Sequence, residues 1–152
     1  MTASERPSPN FDDRPSDTPI DMVVLHYTGM ESAAAALENL CDAGARVSAH
    51  YVIDEDGTVI SLVAEDKRAW HAGEAYWRGE TDINGRSVGV ELVNPGHQFG
   101  YRDFPTPRWQ RWRIWQRKSK LATRFPPAIS SVIPTFHPDE RSIPVNCLTG
   151  SG

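Results

Sequence analysis

The sequence predicts an α/β domain in which helices flank a mixed central β-sheet, and three observations lead to this fold class. Two short runs rich in β-branched residues are typical of buried strands, and an Ala/Leu-rich segment is typical of a helix. Two further strand-like runs flank an Asp-Gly turn and predict a hairpin. Strand, helix, hairpin and strand in this order indicate a sheet with both parallel and antiparallel pairs.

The first elements are predicted as follows. Residues 1–19 are rich in Pro, Ser and Asp and offer little to bury, so we expect a mobile leader or an extended arm. Residues 21–27 (DMVVLHY) form a short apolar run and predict a buried strand. Residues 32–43 (SAAAALENLCDA) predict a helix that ends near Gly44.

The later elements complete the predicted sheet. Residues 47–53 and 58–63 predict a hairpin that turns at Asp56-Gly57. Residues 87–94 (SVGVELVN) predict another buried strand, which Pro95-Gly96 ends. We therefore assign one domain to residues 20–102.

The charge and composition change abruptly after this domain. Residues 1–103 carry 18 acidic and 8 basic side chains, whereas residues 104–152 carry 2 and 8. The same segment holds seven of the twelve prolines and three of the five tryptophans. No helical or strand period runs through it, so we treat residues 103–152 as an aberrant basic tail and expect the sheet domain to be incomplete at its C-terminus.

Composition excludes several classes of protein. No apolar run approaches the roughly 20 residues that a membrane span needs. Two cysteines, Cys41 and Cys147, are too few for a disulfide scaffold or a cysteine-type zinc site. The N-terminus lacks a basic region followed by an apolar stretch, so we expect no secretory signal and a cytoplasmic location.

Three histidines are candidates for chemistry. His26 lies at the end of the first predicted strand, where a neutral imidazole can be a zinc ligand or simply a hydrogen-bonded, half-buried side chain. His50 alternates with apolar neighbours, and His71 lies in the segment AWHAG. Each of these two can line a pocket or simply pack.

Glu91 is the most informative single residue. It lies inside the run VGVELV, whose other members favour burial, and an isolated buried carboxylate is costly. Such a group must be paired, associated with a metal or kept protonated. Its position fits a general base tuned by burial, and it fits equally well a structural ion pair with a residue such as Arg86.

These segments together carry a family resemblance. The matching text is VVLHYTGM, then SAHYVIDEDGTVISLVAEDKRAWHAG, then YWRGETDINGRSVGVELVNPG, across residues 20–102. It resembles the AmpD-type, zinc-dependent N-acetylmuramoyl-L-alanine amidases (amidase type 2), whose fold is shared with the peptidoglycan recognition proteins. The resemblance implies hydrolysis of the amide between the lactyl group of N-acetylmuramic acid and L-alanine. It also implies peptidoglycan or an (anhydro)muropeptide as substrate and Zn²⁺ as cofactor.

The resemblance also implies residue roles. His26 matches the first zinc ligand, and Glu91 matches the acid/base that activates a zinc-bound water. Ala49 stands where some relatives have a tyrosine, which leaves the proton transfer to Glu91. Four residues are expected to line the substrate groove: His50, Trp70, His71 and Asn94.

The family's remaining zinc ligands and its lysine lie in a C-terminal segment that resembles GHSDxxPGRKxDPG, and this sequence lacks it. His137 and Asp139 are conceivable substitutes in a different context. Residues 131–150 can, however, be read from shifted codons as GHSDVSPGRKIDPGELFDW. We therefore interpret the tail as the result of a nucleotide lost, or two gained, near residues 102–104.

Three functions are compatible with the sequence. The first is an amidase whose activity is impaired because zinc ligands are missing. The second is a non-catalytic module that binds peptidoglycan or muropeptides. The third uses the Arg/Trp tail to contact nucleic acid or a membrane surface, and we disfavour it because a frame shift explains the same residues. We thus expect no nucleic-acid partner and no membrane span, and the oligomeric state stays open.

Overall fold

The computed structural model describes residues 4–77 and 79–103. Five strands form one sheet in the order β1-β5-β4-β7-β3. They are β1 (Ser4–Glu5), β3 (Met22–Tyr27), β4 (Tyr51–Ile53), β5 (Val59–Ser61) and β7 (Ser87–Leu92). Strands β4 and β5 pair antiparallel, and the other three pairs are parallel. The predicted α/β class with a mixed sheet is confirmed.

The longest pairing in the sheet joins β3 to β7. All six residues of each strand are in register, from Met22 beside Ser87 to Tyr27 beside Leu92. Both strands are almost entirely buried, which is typical of parallel strands covered on both faces. Because side chains alternate along a strand, even positions of β3 share one face with odd positions of β7.

One helix covers part of the sheet. Helix α1 (Ala33–Cys41) begins after Ser32, whose hydroxyl accepts a hydrogen bond from the Ala35 amide at 3.2 Å. Leu37 and Leu40 pack on a buried cluster that includes Val52 from β4. The predicted helix is confirmed, and it ends two residues earlier than its predicted boundary.

The hairpin is confirmed with shorter strands than predicted. Gly57 has a φ of +84°, and its amide donates to the Asp54 carbonyl at 2.9 Å, so the turn uses the backbone freedom of glycine. Residues 48–50 lie outside the paired strands, although the His50 carbonyl accepts from the Leu62 amide at 2.9 Å. The Ser48 amide donates to the Trp70 carbonyl and the His50 amide donates to the Gly89 carbonyl.

Several short elements were not predicted from the sequence. Strand β6 (Lys67–Ala69) pairs antiparallel with β2 (Phe11–Asp13) in a separate two-stranded sheet. Helix α2 (Ile83–Arg86) is a single turn, capped by the Asp82 carboxylate on the Gly85 amide. A three-residue 3-10 turn follows at His97–Phe99. Among the described residues, no helix has the length and apolar character needed to cross a bilayer.

Of the two expectations for the N-terminal segment, the extended arm is observed and the mobile leader is wrong, because residues 4–19 are attached to the domain. Strand β1 extends the main sheet, and β2 pairs with β6. Between them Ser8 donates to the Leu40 carbonyl at 2.5 Å, and the Asn10 side chain donates to the carbonyls of Asp42 and Val47 at 2.8 Å. Polar side chains bonded to backbone, rather than apolar burial, turn the expected mobile leader into a fixed extended arm.

Arg14 attaches this arm to several backbone carbonyls at once. Its guanidinium donates to four backbone carbonyls at 2.7–3.0 Å, those of Glu65, Asn84, Gly85 and Ser87. These carbonyls belong to the loop before β6, to α2 and to the start of β7. One side chain of the arm therefore joins residue 65 and residues 84–87, two stretches that lie far from Arg14 in the sequence. The predicted tail, residues 103–152, lies outside the described residues except for Asp103.

We predict that Arg14→Ala destabilises the domain by about 3–5 kcal/mol, because buried carbonyls lose charged hydrogen-bond donors. Urea unfolding followed by circular dichroism measures this change. Arg6→Ala is the matched control, because Arg6 is exposed on the same arm. Equal costs for the two variants would contradict the role given to Arg14.

Candidate active site

A cleft of about 630 Å³ opens at the C-terminal ends of strands β3 and β7. Four of the six site residues predicted from the sequence line it: His26, Trp70, His71 and Glu91. Sequence reasoning did not single out other lining residues, among them Tyr27, Met30, Asn39 and Glu74. Glu74 directly follows the AWHAG segment, which is the one signal that could have indicated it.

The register of β3 and β7 brings His26 and Glu91 together. They are paired positions of the two strands, and both point to the face that Met22 and Val24 occupy further down β3. Gly89 precedes Glu91 on that same face. A side chain at Gly89 would overlap the His71 ring, so this glycine leaves the space in which His71 lies.

Glu91 presents an unpaired carboxylate to the cleft. Its Oε2 atom is shielded from solvent and accepts no hydrogen bond from the described residues. Burial raises the pKa of Glu91 to about 8. The carboxyl is therefore mainly protonated near neutral pH in the metal-free domain and can exchange a proton with a bound molecule.

The alternative ion pair with Arg86 is wrong. Arg86 pairs with Asp21 and with Glu80, at 2.5 Å for the latter. Its guanidinium is thus used at the other end of β7. Of the two interpretations of Glu91, the structure retains the carboxyl tuned by burial.

His26 and His71 form a hydrogen-bonded pair in the cleft. Nε2 of His26 lies 2.9 Å from Nδ1 of His71, and the rings meet edge to face with centroids 5.1 Å apart. Burial lowers the pKa of His26 to about 4. Burial, and then the proximity of His26, hold the pKa of His71 well below its usual range. Both imidazoles are therefore neutral at pH 7.

His50 does not line the cleft, which corrects the prediction made for it. It is fully buried behind the site, where Nδ1 accepts from the Gly89 amide at 2.9 Å. Nε2 therefore carries the ring proton and donates to the Lys67 carbonyl at 3.0 Å, next to Arg14. Burial lowers its pKa to about 4. His50 packs, as the alternative interpretation held.

Asn94 also lies outside the cleft, which corrects its predicted role. It is buried, its Oδ1 accepts from the Gly96 amide at 3.0 Å, and its Nδ2 donates to the Arg102 carbonyl at 2.6 Å. These bonds close the loop that follows β7. Asn94 shapes the end of the domain and does not contact the space where a ligand would lie.

The described residues do not complete a metal site. A catalytic zinc needs three protein ligands, and residues 4–77 and 79–103 contain no group of three His, Cys, Asp or Glu side chains arranged to hold a metal. His26 is available as one imidazole donor, with His71 beside it. Any zinc site would need further ligands from residues 104–152.

The family model described as N-acetylmuramoyl-L-alanine amidase (Amidase_2) matches residues 16–123, which is more than half of the chain. The chain belongs to the N-acetylmuramoyl-L-alanine amidase family. The resemblance seen in the sequence is thereby confirmed. The matched range includes β3, β7 and the cleft residues between them.

Individual relatives agree with this assignment. The 1,6-anhydro-N-acetylmuramyl-L-alanine amidase AmpD of Escherichia coli K12 is 35% identical over 103 residues, which cover 57% of this chain and 56% of that protein. A crystal structure of a selenomethionine derivative of AmpD matches with a TM-score of 0.68 and 30% identity, over 82% of this chain and 75% of that one.

A third match is the AmpDh3 protein of Pseudomonas aeruginosa, solved in complex with an anhydromuramic pentapeptide. Its TM-score is 0.60 at 25% identity, over 74% of this chain and 49% of that one. This chain spans little more than half the length of the curated E. coli relative. These amidases share its mixed sheet.

We predict that Glu91→Gln changes how stability depends on pH. The carboxyl has a pKa of about 8 in the folded domain and 4.5 as an ordinary side chain, so the folded state binds its proton more tightly between these values. The stability of the unchanged protein therefore falls as pH rises through that window. Urea unfolding in a chelator, at about pH 5 and about pH 9, should show the variant gaining about 1–3 kcal/mol relative to the unchanged protein.

Glu74→Gln is the matched control for this prediction. Glu74 lines the same cleft but is exposed, so its variant should keep the pH dependence of the unchanged protein. If Glu91→Gln also keeps that dependence, the carboxyl is not the desolvated group described above.

Proposed function

We propose that the cleft is the site of an N-acetylmuramoyl-L-alanine amidase, which hydrolyses the amide between the lactyl group of N-acetylmuramic acid and L-alanine in muropeptides. The observation that carries the proposal is the desolvated Glu91 carboxyl, unpaired at Oε2, beside a neutral His26 at the mouth of a cleft. The names of the relatives, and the anhydromuramic pentapeptide held by one of them, support this substrate class.

Glu91 would move the protons of the reaction. As a carboxylate it takes a proton from the attacking water, whose oxygen bonds to the amide carbon. As a carboxylic acid it then gives that proton to the alanine nitrogen when the carbon–nitrogen bond breaks. A pKa near 8 makes the Glu91 carboxylate a stronger base than an ordinary one, and the carboxylic acid that results can still give its proton to the more basic alanine nitrogen.

His26 and Trp70 would bind and orient the substrate and the attacking water, and His71 lines the same cleft. An imidazole that stays uncharged at pH 7 can accept a hydrogen bond from a water without repelling a cationic group. The Trp70 ring lines the cleft and offers an apolar surface. This assignment keeps His71 and Trp70 as groove residues and omits His50 and Asn94.

We further propose that this chain is impaired as a catalyst. The described residues supply no complete zinc site, and the sequence after residue 103 contains one histidine, His137, outside any segment that resembles GHSDxxPGRKxDPG. The frame-shift interpretation accounts for that loss and stays a proposal. Among residues 4–77 and 79–103 the donor set is too small to hold zinc.

Two finer points belong to the same proposal. An anhydro-muropeptide is the preferred substrate, because the relatives named above are 1,6-anhydro-N-acetylmuramyl-L-alanine amidases or bind an anhydromuramic peptide. The cytoplasmic location stays a prediction from the sequence.

A second candidate function is binding without catalysis. The cleft is formed by residues 26–91, all within the described range, whereas the missing ligands belong to a later segment. A muropeptide could therefore bind in the cleft although no cleavage follows. Glu91 argues against a pure binding role, because an unpaired desolvated carboxyl costs stability and adds nothing to apolar contact.

The test compares two proteins: the chain as it stands and a frame-restored chain in which residues after 103 continue into the GHSD-containing segment. Release of the L-alanine-linked peptide from an anhydro-muropeptide, followed by liquid chromatography, measures the activity. We expect cleavage by the restored chain, at least about a hundredfold slower cleavage by its Glu91→Gln variant, and none above background by the chain as it stands.

Isothermal titration with the same muropeptide separates the two functions. Binding by both chains without cleavage by either would replace the amidase proposal with the binding module. Cleavage by the chain as it stands would contradict the proposed impairment and leave the amidase proposal intact.

A further inference from the structure

Four polar groups form a continuous hydrogen-bonded chain that ends at His26. Nε2 of His26 lies 2.9 Å from Nδ1 of His71, and Nε2 of His71 lies 3.0 Å from Oγ of Ser87. Oγ of Ser87 lies 2.6 Å from the backbone carbonyl oxygen of Ile83. This series of hydrogen bonds therefore runs from the cleft into helix α2 and ends at the Ile83 carbonyl oxygen, which belongs to the backbone.

The carbonyl oxygen determines where each proton lies. A carbonyl can only accept, so the single hydroxyl proton of Ser87 points to Ile83. Oγ of Ser87 must then accept from Nε2–H of His71. A neutral imidazole has one N–H, so Nδ1 of His71 is an acceptor and receives the proton of His26 Nε2. The same argument leaves the lone pair of His26 on Nδ1.

The backbone and the ring of His71 are both fixed in place, so the series of hydrogen bonds from His26 to Ile83 does not rearrange. The amides of His71 and Ala72 both donate to Oδ1 of Asn84, at 3.0 and 2.8 Å. The ring lies against Gly89, where an added side chain would overlap it. Backbone and ring are thus fixed on opposite sides, and both ring nitrogens are already used.

We propose that His71 is a positioning residue: anchored through Ser87 to the Ile83 carbonyl, it fixes His26 in the tautomer with the proton on Nε2 and the lone pair on Nδ1. This role differs from substrate binding, because His71 has no ring nitrogen left to offer a ligand. The proposal concerns the free protein, so it stands or falls independently of whether the chain cleaves a muropeptide. The low pKa values of both rings agree with it, since each must be neutral.

The test is the tautomer of His26, measured by nitrogen-15 NMR of the full chain labelled at histidine, at neutral pH with a chelator and without substrate. The two-bond nitrogen–proton correlations of a ring distinguish protonated from unprotonated nitrogen. We expect a single tautomer of His26 with the proton on Nε2. His97 gives an internal reference signal, because it is exposed, stacks on Tyr101 and takes no part in these hydrogen bonds.

Two variants of His71 separate positioning from mere packing. His71→Ala removes the acceptor, so the tautomers of His26 should mix and its ring proton should exchange with solvent about tenfold faster. His71→Asn places an amide oxygen near the former Nδ1 and should restore the single tautomer. Ser87→Ala removes the anchor and should give a smaller loss of the same kind.

Circular dichroism checks that each variant is folded. If His71→Ala unfolds, then His71→Asn and Ser87→Ala decide the question. A single Nε2-protonated tautomer of His26 that survives in a folded His71→Ala or Ser87→Ala variant would overturn the proposal. The proposal would also be overturned if His26 of the unchanged protein carried its ring proton on Nδ1.

Discussion

The in-register parallel pairing of β3 with β7 is the constraint on which the rest of the structure depends. It sets His26 beside Glu91 and gives Ser87 and Gly89 the same face of the sheet. A shift of one residue in this register would send one strand's polar side chains to the opposite face, into the cluster formed by Val23, Leu25 and Val90. The apolar alternation of both strands thus fixes the geometry of the cleft as well as the core.

Burial then determines the protonation of the groups that this pairing collects. The imidazoles of His26, His50 and His71 are neutral because desolvation disfavours their charged forms, and Glu91 holds its proton for the same reason. Arg14 is the charged group behind the site, and its donors reach backbone carbonyls.

Hydrophobic periodicity predicted the two long strands, the helix and the hairpin, because each of these elements buries a regular apolar pattern. It could not predict the arm, β6 or α2, which depend on single polar side chains such as Arg14, Asn10 and Asp82 bonding to distant backbone. The site divides in the same way. His26 and Glu91 were evident from polar residues in apolar strands, whereas the placement of His50 behind the site depends on tertiary hydrogen bonds.

We propose that residues up to 103 retain a carboxyl and one imidazole of an amidase site, whereas the remaining zinc ligands are missing from this chain. The most direct test is the amount of zinc bound per chain, measured by inductively coupled plasma mass spectrometry after equimolar loading and gel filtration. The account predicts well under one zinc per chain, and near one for the frame-restored protein. One tightly bound zinc in the chain as it stands, lost in His26→Ala and in His137→Ala, would contradict it.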